Sequence, residues 1–179
     1  MSSVYLVSDT HFGHKGVCNF LRDDGTKLRP WTNYEEMDEA LVENWNNTVG
    51  PNDKVYHLGD VVLNRRALDI VARLNGDKVL IKGNHDIFRL DEYTKYFRDV
   101  RAYQVIGKLI LNHIPLHTYS KERFSANIHG HTHDNHIMLD GKIDPWYYNV
   151  CVENTDYRPI LLDQVIENIK LQQETVTQS

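Results

Sequence analysis

Five short clusters along the chain contain side chains that can bind a metal ion. They are Asp9-Thr10-His11, Gly59-Asp60, Gly83-Asn84-His85-Asp86, Asn112-His113 and Gly130-His131-Thr132-His133. Carboxylate oxygens, imidazole nitrogens and an amide oxygen form a mixed ligand set that suits borderline divalent ions such as Mn, Fe, Zn, Ni or Co. Thiolates, which are common in structural zinc sites, are absent from the clusters. The residue types therefore predict a site for such ions rather than a structural zinc site.

Each cluster follows a short apolar segment with the character of a β-strand. These segments cover residues 4–8, 54–58, 79–82, 109–112 and 127–129. Taken alone, an Asp-x-His or His-x-His pair is more often a surface loop or a hydrogen-bonded pair than a pair of ligands. Five clusters at predicted strand ends can instead meet at one point, and the glycines before Asp60, Asn84 and His131 would let the backbone approach that point closely.

Helical segments separate several of these strands, which predicts a layered α/β protein. Asn33 and Glu36 have the spacing of a capping box, and Met37, Leu41 and Trp45 recur at helical intervals after them. The predicted helices cover residues 34–48, 68–74, 91–97 and 162–171, and residues 172–179 are expected to form a frayed tail. Further strands are predicted over 103–105, 137–139 and 147–152, in antiparallel pairings that would make the sheet mixed.

The composition is that of an ordinary globular protein, and its 179 residues fit one domain, 1–179. With 20 Lys and Arg against 25 Asp and Glu, the net charge of -5 argues against an extended groove for nucleic acid. No apolar run approaches the roughly 18 residues of a membrane span, and no signal peptide is recognisable. The two cysteines, Cys18 and Cys151, fit a reducing compartment. A cytoplasmic protein without membrane contact is therefore expected.

The ordered clusters resemble the signature of the calcineurin-like metallophosphoesterase superfamily. That signature runs Asp-x-His, Gly-Asp, Gly-Asn-His-Asp or Glu, His, and Gly-His-x-His, and all five blocks occur here in that order. The longer run Asp-x-His-Phe-Gly-His, from Asp9 to His14, is similar to that of small bacterial and phage members. The resemblance implies a four-layer αββα sandwich of two mixed β-sheets flanked by helices, with the site in loops at the strand ends.

The resemblance also implies two divalent metal ions that share seven ligands. These ligands would be Asp9, His11 and His133 for the first ion, Asn84, His113 and His131 for the second, and Asp60 as the bridge between them. His117 competes with His113, because that block of the signature is a single residue. Manganese is the expected ion, with Fe, Zn, Ni, Co or Mg as alternatives.

The implied chemistry is hydrolysis of a phosphate ester. Two ions about 3.5 to 4 Å apart can clamp a phosphate and generate a bridging hydroxide that attacks phosphorus in line with the leaving group. His85 matches the family's general acid, although it could instead only support the site, and Asn84 could contact phosphate as well as metal. A metallophosphoesterase that cleaves a small phosphodiester or phosphomonoester is therefore expected, with a nucleotide or cyclic nucleotide as the substrate class.

Three alternative functions are less well supported by the sequence. A protein phosphatase is disfavoured because Gly59-Asp60 is followed by Val61 rather than by the Asp-Arg-Gly element of that branch. A nuclease is disfavoured by the acidic composition. A non-catalytic metal-binding platform of the same fold should have a damaged site, whereas all seven expected ligands and His85 are present here.

Several remaining basic residues have two interpretations. His14 could line the mouth of the pocket, and Arg65 and Arg66 could meet a substrate phosphate, although a solvated helix start explains the two arginines more simply. Structural positions are expected for His57, His129 and His136. Because little chain remains for a cap domain, substrate specificity is expected to come from short loops such as 19–30 and 118–125.

Overall fold

The computed structural model describes residues 2–177, and its helices and strands are as follows. The helices are α1 (Tyr34–Thr48), α2 (Leu90–Tyr93) and α3 (Leu162–Thr177). The strands are β1 (Val4–Val7), β2 (Lys54–His57), β3 (Asp77–Ile81), β4 (Asp99–Arg101), β5 (Gln104–Ile106), β6 (Leu109–Leu111), β7 (Ala126–His129), β8 (Met138–Leu139), β9 (Lys142–Ile143), β10 (Tyr147–Asn149) and β11 (Ile160–Leu161). Short 3-10 segments cover Val17–Asn19, Arg65–Arg73, Thr118–Glu122 and Val152–Asn154.

The first sheet has the strand order β11-β1-β2-β3-β4. Strands β1 to β4 are parallel, and β11 joins β1 antiparallel at the edge. The carboxyl ends of β1, β2 and β3 therefore lie at the same edge of the sheet. This arrangement brings the first three predicted clusters together.

The second sheet has the order β10-β7-β6-β5. The predicted hairpin is present as β5 and β6, and β7 runs parallel to β6. The prediction of an antiparallel strand over 147–152 is wrong, because β10 pairs parallel with β7. The connection from β7 carries the small β8–β9 hairpin and crosses back before β10 begins, so it is a crossover rather than a turn.

Apolar residues fill the space between the two sheets and the space between the first sheet and α1. Leu6 and Ile81 of the first sheet belong to the same buried cluster as Leu111 and Ile128 of the second, and α3 adds Val165 to that cluster. The opposite face of the first sheet buries Val7 and Leu80 with Met37, Leu41 and Trp45 of α1. Each fully buried side chain of this size stabilises the fold by about 1.5 to 3 kcal/mol. The predicted sandwich of two mixed sheets flanked by helices is confirmed.

One of the helix predictions is correct at both ends. Helix α1 has the predicted bounds, and the Asn33 side chain accepts a hydrogen bond from the backbone N–H of Glu36 at 2.9 Å. The predicted helix over 68–74 is the 3-10 segment Arg65–Arg73, and the one over 91–97 is the shorter α2.

The predicted tail is helical for most of its length. Helix α3 continues to Thr177, because no Gly or Pro follows Leu171 and the next residues, Gln172 to Glu174, favour helix. Residues 178 and 179 of that predicted tail lie outside the described residues. None of the helices within 2–177 is both long and apolar enough to cross a membrane.

Candidate metal centre

The loops that follow β1, β2, β3, β6 and β7 meet at one end of the two sheets. Within the first sheet, the backbone N–H of Asp9 donates to the carbonyl of Gly59 at 3.0 Å. Within the second sheet, the N–H of Gly130 donates to the carbonyl of His113 at 3.0 Å. The N–H of His131 joins the sheets by donating to Oδ2 of Asp9 at 2.8 Å. The five predicted clusters therefore lie around one centre.

The predicted metal ligands form two groups at this centre. One group contains Asp9, His11 and His133, and the other contains Asp60, His113 and His131. Within each group the potential ligand atoms all lie within 4.8 Å of one another. Nε2 of His113 lies 2.9 Å from Oδ1 of Asn84, which places the amide oxygen beside the second group.

Asp60 lies between the two groups. Its Oδ2 is 3.7 Å from Nε2 of His11 in the first group and 3.4 Å from Nε2 of His113 in the second. Its other oxygen, Oδ1, accepts a hydrogen bond from the backbone N–H of His85 at 2.8 Å. This hydrogen bond fixes the carboxylate so that Oδ2 faces both groups.

Three buried polar atoms of the centre are available to bind a metal ion. Among the described residues, Oδ1 of Asp9 and both ring nitrogens of His11 are buried and lack a hydrogen-bond partner. A buried polar atom without a partner is unfavourable unless it binds something else. Ligand atoms bound at about 2.1 Å to one ion lie about 3.0 to 3.4 Å apart in octahedral or tetrahedral coordination. The 3.5 Å between Asp9 Oδ1 and His11 Nε2 is close to that range, so the residues fit divalent metal ions.

In two of the histidines, a hydrogen bond on the far side of the ring presents Nε2 to the centre. Nδ1 of His113 lies 2.7 Å from the carbonyl oxygen of Leu58, so Nδ1 is the donor and Nε2 of the neutral ring has its lone pair free for a metal ion. Nδ1 of His133 lies 3.0 Å from Oε1 of Glu153, with the same consequence. Hydrogen-bond partners of this kind are common around metal-binding histidines.

The electrostatics of the centre favour charged carboxylates. Burial would raise the pKa of Asp9, but the neighbouring His11 and His113 outweigh burial and hold that pKa well below its usual range. Burial likewise opposes ionisation of Asp60, and His113 again lowers its pKa. Both carboxylates are therefore ionised at neutral pH and available to cations.

The backbone is strained at the centre. Eight residues other than glycine have positive φ within 2–177, and five of them are predicted ligands. These five are Asp9 (60°), His11 (49°), Asp60 (56°), His131 (72°) and His133 (51°). A non-glycine residue in such a conformation costs about 1 to 3 kcal/mol and persists only where the surroundings impose it. The strain is thus concentrated where side chains must converge.

Two glycines permit the close approach of the loops. A Cβ on Gly83 would lie 2.6 Å from the backbone nitrogen of Asp60, and a Cβ on Gly130 would lie 2.8 Å from the Cβ of Ser8. Both distances are shorter than real Cβ contacts allow. Glycine at these positions is therefore required by packing around Asp60 and Asp9, as the sequence predicted.

A buried ion pair that the sequence analysis did not identify supports the first group. Glu153 accepts from Nε and Nη2 of Arg29 at 2.9 and 2.7 Å and also contacts His133. Arg29 in turn donates to the carbonyl oxygens of Asp9 and Thr10 at 2.6 and 2.9 Å. Both side chains are fully buried. The pair thereby fixes the Asp9 loop and the ring of His133 together.

We expect Glu153→Gln to lower the metal affinity of the first group about 10- to 100-fold, the usual effect of losing a residue that hydrogen-bonds to a metal ligand. The amide removes the negative charge that orients His133 and compensates Arg29. Manganese titration of metal-free protein measures this change. Because the ligands themselves remain, excess manganese should restore metal occupancy. Unchanged affinity in a folded variant would exclude the positioning role of Glu153.

Three further side chains, to which the sequence analysis gave no role at the centre, act on the carboxylates and their loops. The carboxylate of Asp86 accepts from the backbone N–H groups of Asp60 and Gly83, both at 2.8 Å, and so ties two of the site loops together. Sγ of Cys151 lies 3.2 Å from Oδ2 of Asp9, and the hydroxyl of Ser8 lies 2.5 Å from the same oxygen. These donors leave Oδ1 of Asp9 as the oxygen that faces the centre.

The rings of His85 and His14 lie beside the ring of His11 at the open side of the centre. Their ring centroids lie 5.6 and 5.8 Å from that of His11, and His85 is exposed. Burial, with His11 and Arg29, lowers the pKa of His14 to about 4. Nδ1 of His14 accepts from the backbone N–H groups of Gly16 and Val17, so its Nε2 carries the proton.

The other basic residues singled out in the sequence lie outside the two groups. His117 caps the segment Thr118–Glu122 through a hydrogen bond from the N–H of Tyr119, and His113, not His117, lies beside Asp60. His57 and His129 are buried and His136 is exposed. Arg65 pairs with Glu92 at 2.8 Å, and with Arg66 and Lys15 it lines a separate cavity of about 640 Å³.

Comparison with known proteins identifies relatives over nearly the whole chain. An uncharacterized protein of Methanocaldococcus jannaschii is 37% identical over 180 residues, which cover 95% of this chain and 93% of that protein. The Gene 66 protein of Mycobacterium phage L5 is 36% identical over 93 residues, which cover 48% of this chain and 41% of the phage protein. A crystal structure of a protein of unknown function from Aquifex aeolicus superposes with a TM-score of 0.70 and 27% identity, covering 93% of this chain and 99% of that one.

The model of the calcineurin-like phosphoesterase family matches residues 2–157. This match includes all five clusters and the buried pair Arg29–Glu153. The two groups also contain the carboxylates and imidazoles that can hold divalent metal ions. The chain belongs to the calcineurin-like phosphoesterase family.

Proposed function

We propose that this protein hydrolyses small phosphodiesters or phosphomonoesters, with nucleotides or cyclic nucleotides as the substrate class and two manganese ions as the cofactor. The observation that carries the proposal is the position of Asp60, whose Oδ2 faces His11 on one side and His113 on the other. A carboxylate in this position can share two ions, which together supply Lewis acidity and an activated water. We also propose that residues 1–179 form one domain that carries the whole site.

The residues of the chain supply the remaining functions. His85 is the proposed general acid, because it is exposed at the open side and its ring lies next to His11. The backbone N–H of His85 also donates to Oδ1 of Asp60, so the loop that carries the proposed acid is held next to the proposed bridging carboxylate. Asn84, exposed beside His113, can contact the substrate phosphate as well as the second ion. Proton transfer by such a positioned acid accelerates turnover about 100- to 10,000-fold.

A covalent mechanism through a cysteine is not supported. Burial and the neighbouring Asp9 raise the pKa of Cys151 well above its usual value, so the thiolate required of a nucleophile is disfavoured. Cys18 is also buried, and burial raises its pKa. Direct attack by water is therefore the better proposal.

Three alternative functions are less well supported than a small-molecule phosphoesterase. A non-catalytic platform has no need of an exposed histidine at the open side of a complete set of ligands, whereas a hydrolase does. A nuclease needs a basic track, and the chain has a net charge of -5. A diesterase is proposed over a protein phosphatase because Val61 follows Asp60 in place of the acidic element of that branch.

Hydrolysis of bis(p-nitrophenyl) phosphate by the metal-free protein, titrated with manganese, tests the function. We expect turnover that rises with added manganese and saturates near two ions per chain. The metal-free protein and the protein with excess chelator are the controls. Saturated metal binding without turnover, under each of the divalent ions named above, would favour the platform.

A further inference from the structure

A cavity of about 670 Å³ opens directly beside the second group of ligands. Asn84 and His113 form its inner end, where the proposed phosphate position lies. From there the cavity runs along the outer face of the second sheet, over Ile110 of β6, to the segment that follows β6. Its size falls within the roughly 300 to 1,000 Å³ of small-molecule sites. A single ligand can therefore fill the cavity and also place a phosphate group at the metal ligands.

Aromatic side chains form part of the wall of this cavity. Tyr103, just before β5, is 58% exposed, and Phe124 lies across from the sheet in the segment after β6. Val105 and Ile114 add further exposed apolar surface to the lining. Large apolar groups exposed together around a concavity are typical of a binding site for a ligand with an apolar face.

Two cations also line the cavity. Among residues 2–177, neither the ammonium of Lys82 nor the guanidinium of Arg123 has a carboxylate partner, in contrast to Arg29 and Arg65. The guanidinium carbon of Arg123 instead lies 5.5 Å from the ring centroid of Phe124. In a chain with a net charge of -5, two uncompensated cations beside the phosphate position favour an anionic ligand.

We propose that this cavity binds the nucleoside part of a nucleotide substrate whose phosphate lies on the metal ligands, with Tyr103 as the principal stacking residue. This inference rests on the proposed function. A nucleobase is flat, so it can stack on Tyr103 and on the Phe124–Arg123 pair. Lys82, which lines the cavity next to Gly83 and Asn84, can pair with the phosphate, and Arg123 on the ring of Phe124 can stack with the base.

Calorimetric binding to manganese-loaded protein tests the inference without requiring turnover. The probes are adenosine 5′-monophosphate and inorganic phosphate. The nucleotide should bind at least about 10-fold more tightly, because phosphate reaches only the metal ligands. Tyr103→Ala should weaken nucleotide binding on the order of 10-fold, the scale of one lost base stack, and leave phosphate binding unchanged. Tyr119→Ala is the matched control, since Tyr119 is 76% exposed and does not line the cavity.

Equal affinity for the two probes would overturn the inference, as would a Tyr103→Ala variant that binds both probes as the parent does or loses both equally. These results leave the proposed function intact if bis(p-nitrophenyl) phosphate is still hydrolysed. Conversely, tight and Tyr103-dependent nucleotide binding without hydrolysis of any ester would refute the proposed activity and support the cavity as a nucleotide site.

Discussion

Asp60→Asn is expected to remove two-metal occupancy and hydrolysis together. A neutral amide is a much weaker ligand than the carboxylate whose Oδ2 faces both His11 and His113. Because loss of a residue that only hydrogen-bonds to a metal ligand lowers metal affinity or activity about 10- to 100-fold, loss of the proposed bridge should lower activity by at least about 100-fold. Metal analysis after manganese reconstitution, together with turnover of bis(p-nitrophenyl) phosphate, measures both effects.

The fold should survive this substitution. Asparagine is isosteric and can still accept the hydrogen bond from the N–H of His85. It also removes one of two neighbouring buried negative charges, since Asp9 lies at the same centre and opposes ionisation of Asp60. His113 outweighs this repulsion and lowers the pKa of Asp60, so the ionised carboxylate stabilises the fold at neutral pH, and metal-free Asp60→Asn should fold but unfold at a lower temperature than the metal-free parent. Asp91→Asn on α2, outside the ligand groups, is the control, and retention of both ions at a near-normal rate would contradict the bridging role.

The positions of the proposed ligands could be anticipated because the relevant patterns are local. Each cluster follows a strand, and parallel strands such as β1 and β2 necessarily present their carboxyl ends at one edge. Asn33 similarly predicted the start of α1, because the side chain of a capping residue accepts a hydrogen bond from the backbone N–H three residues later. The order of the motifs indicated the family, and the fold of that family predicted the sandwich of two sheets. Local sequence patterns therefore predicted the positions of the proposed ligands better than the strand pairing of the second sheet.

The supporting residues could not be anticipated, because they act over long separations. Arg29 and Glu153 are 124 positions apart, and neither belongs to a motif. Their pairing arises only when β10 lies parallel to β7, the pairing that sequence patterns misassigned. A buried Arg or Glu has no periodic signature, since its burial is tolerated only through a partner elsewhere. A covarying pair at these two positions is the signal that could have revealed the contact.

The same separation explains why the cavity beside Asn84 was not predicted. The loop over 118–125 was expected to contribute specificity, and Phe124 and Arg123 within it do line the cavity. Tyr103, however, lies just before β5 and reaches the cavity from the other side of Ile110. Only the fold brings it to the same cavity as Phe124 and Arg123. Composition can name candidate aromatic residues, but it cannot state which of them share a surface.

His85→Ala is expected to slow turnover about 100- to 10,000-fold while leaving the metal content nearly unchanged. The reason is that His85 touches Asp60 only through its backbone N–H, which alanine retains, whereas its side chain is exposed beside His11. The loss should be largest for esters with poor leaving groups, because a stable leaving anion such as p-nitrophenolate has little need of a proton. Turnover of p-nitrophenyl and phenyl esters on manganese-loaded protein measures this difference.

The dependence on the leaving group distinguishes an acid from a support for the site. If His85 only held the loop, its removal would disturb the ligands and slow all esters alike, and metal content would fall with activity. If it donates the proton, metal content stays constant and the two esters diverge. His136→Ala is the control, since His136 is exposed and lies outside both ligand groups. Equal slowing of both esters would show that the chemistry is driven by the metal centre alone and that His85 has no role in proton transfer.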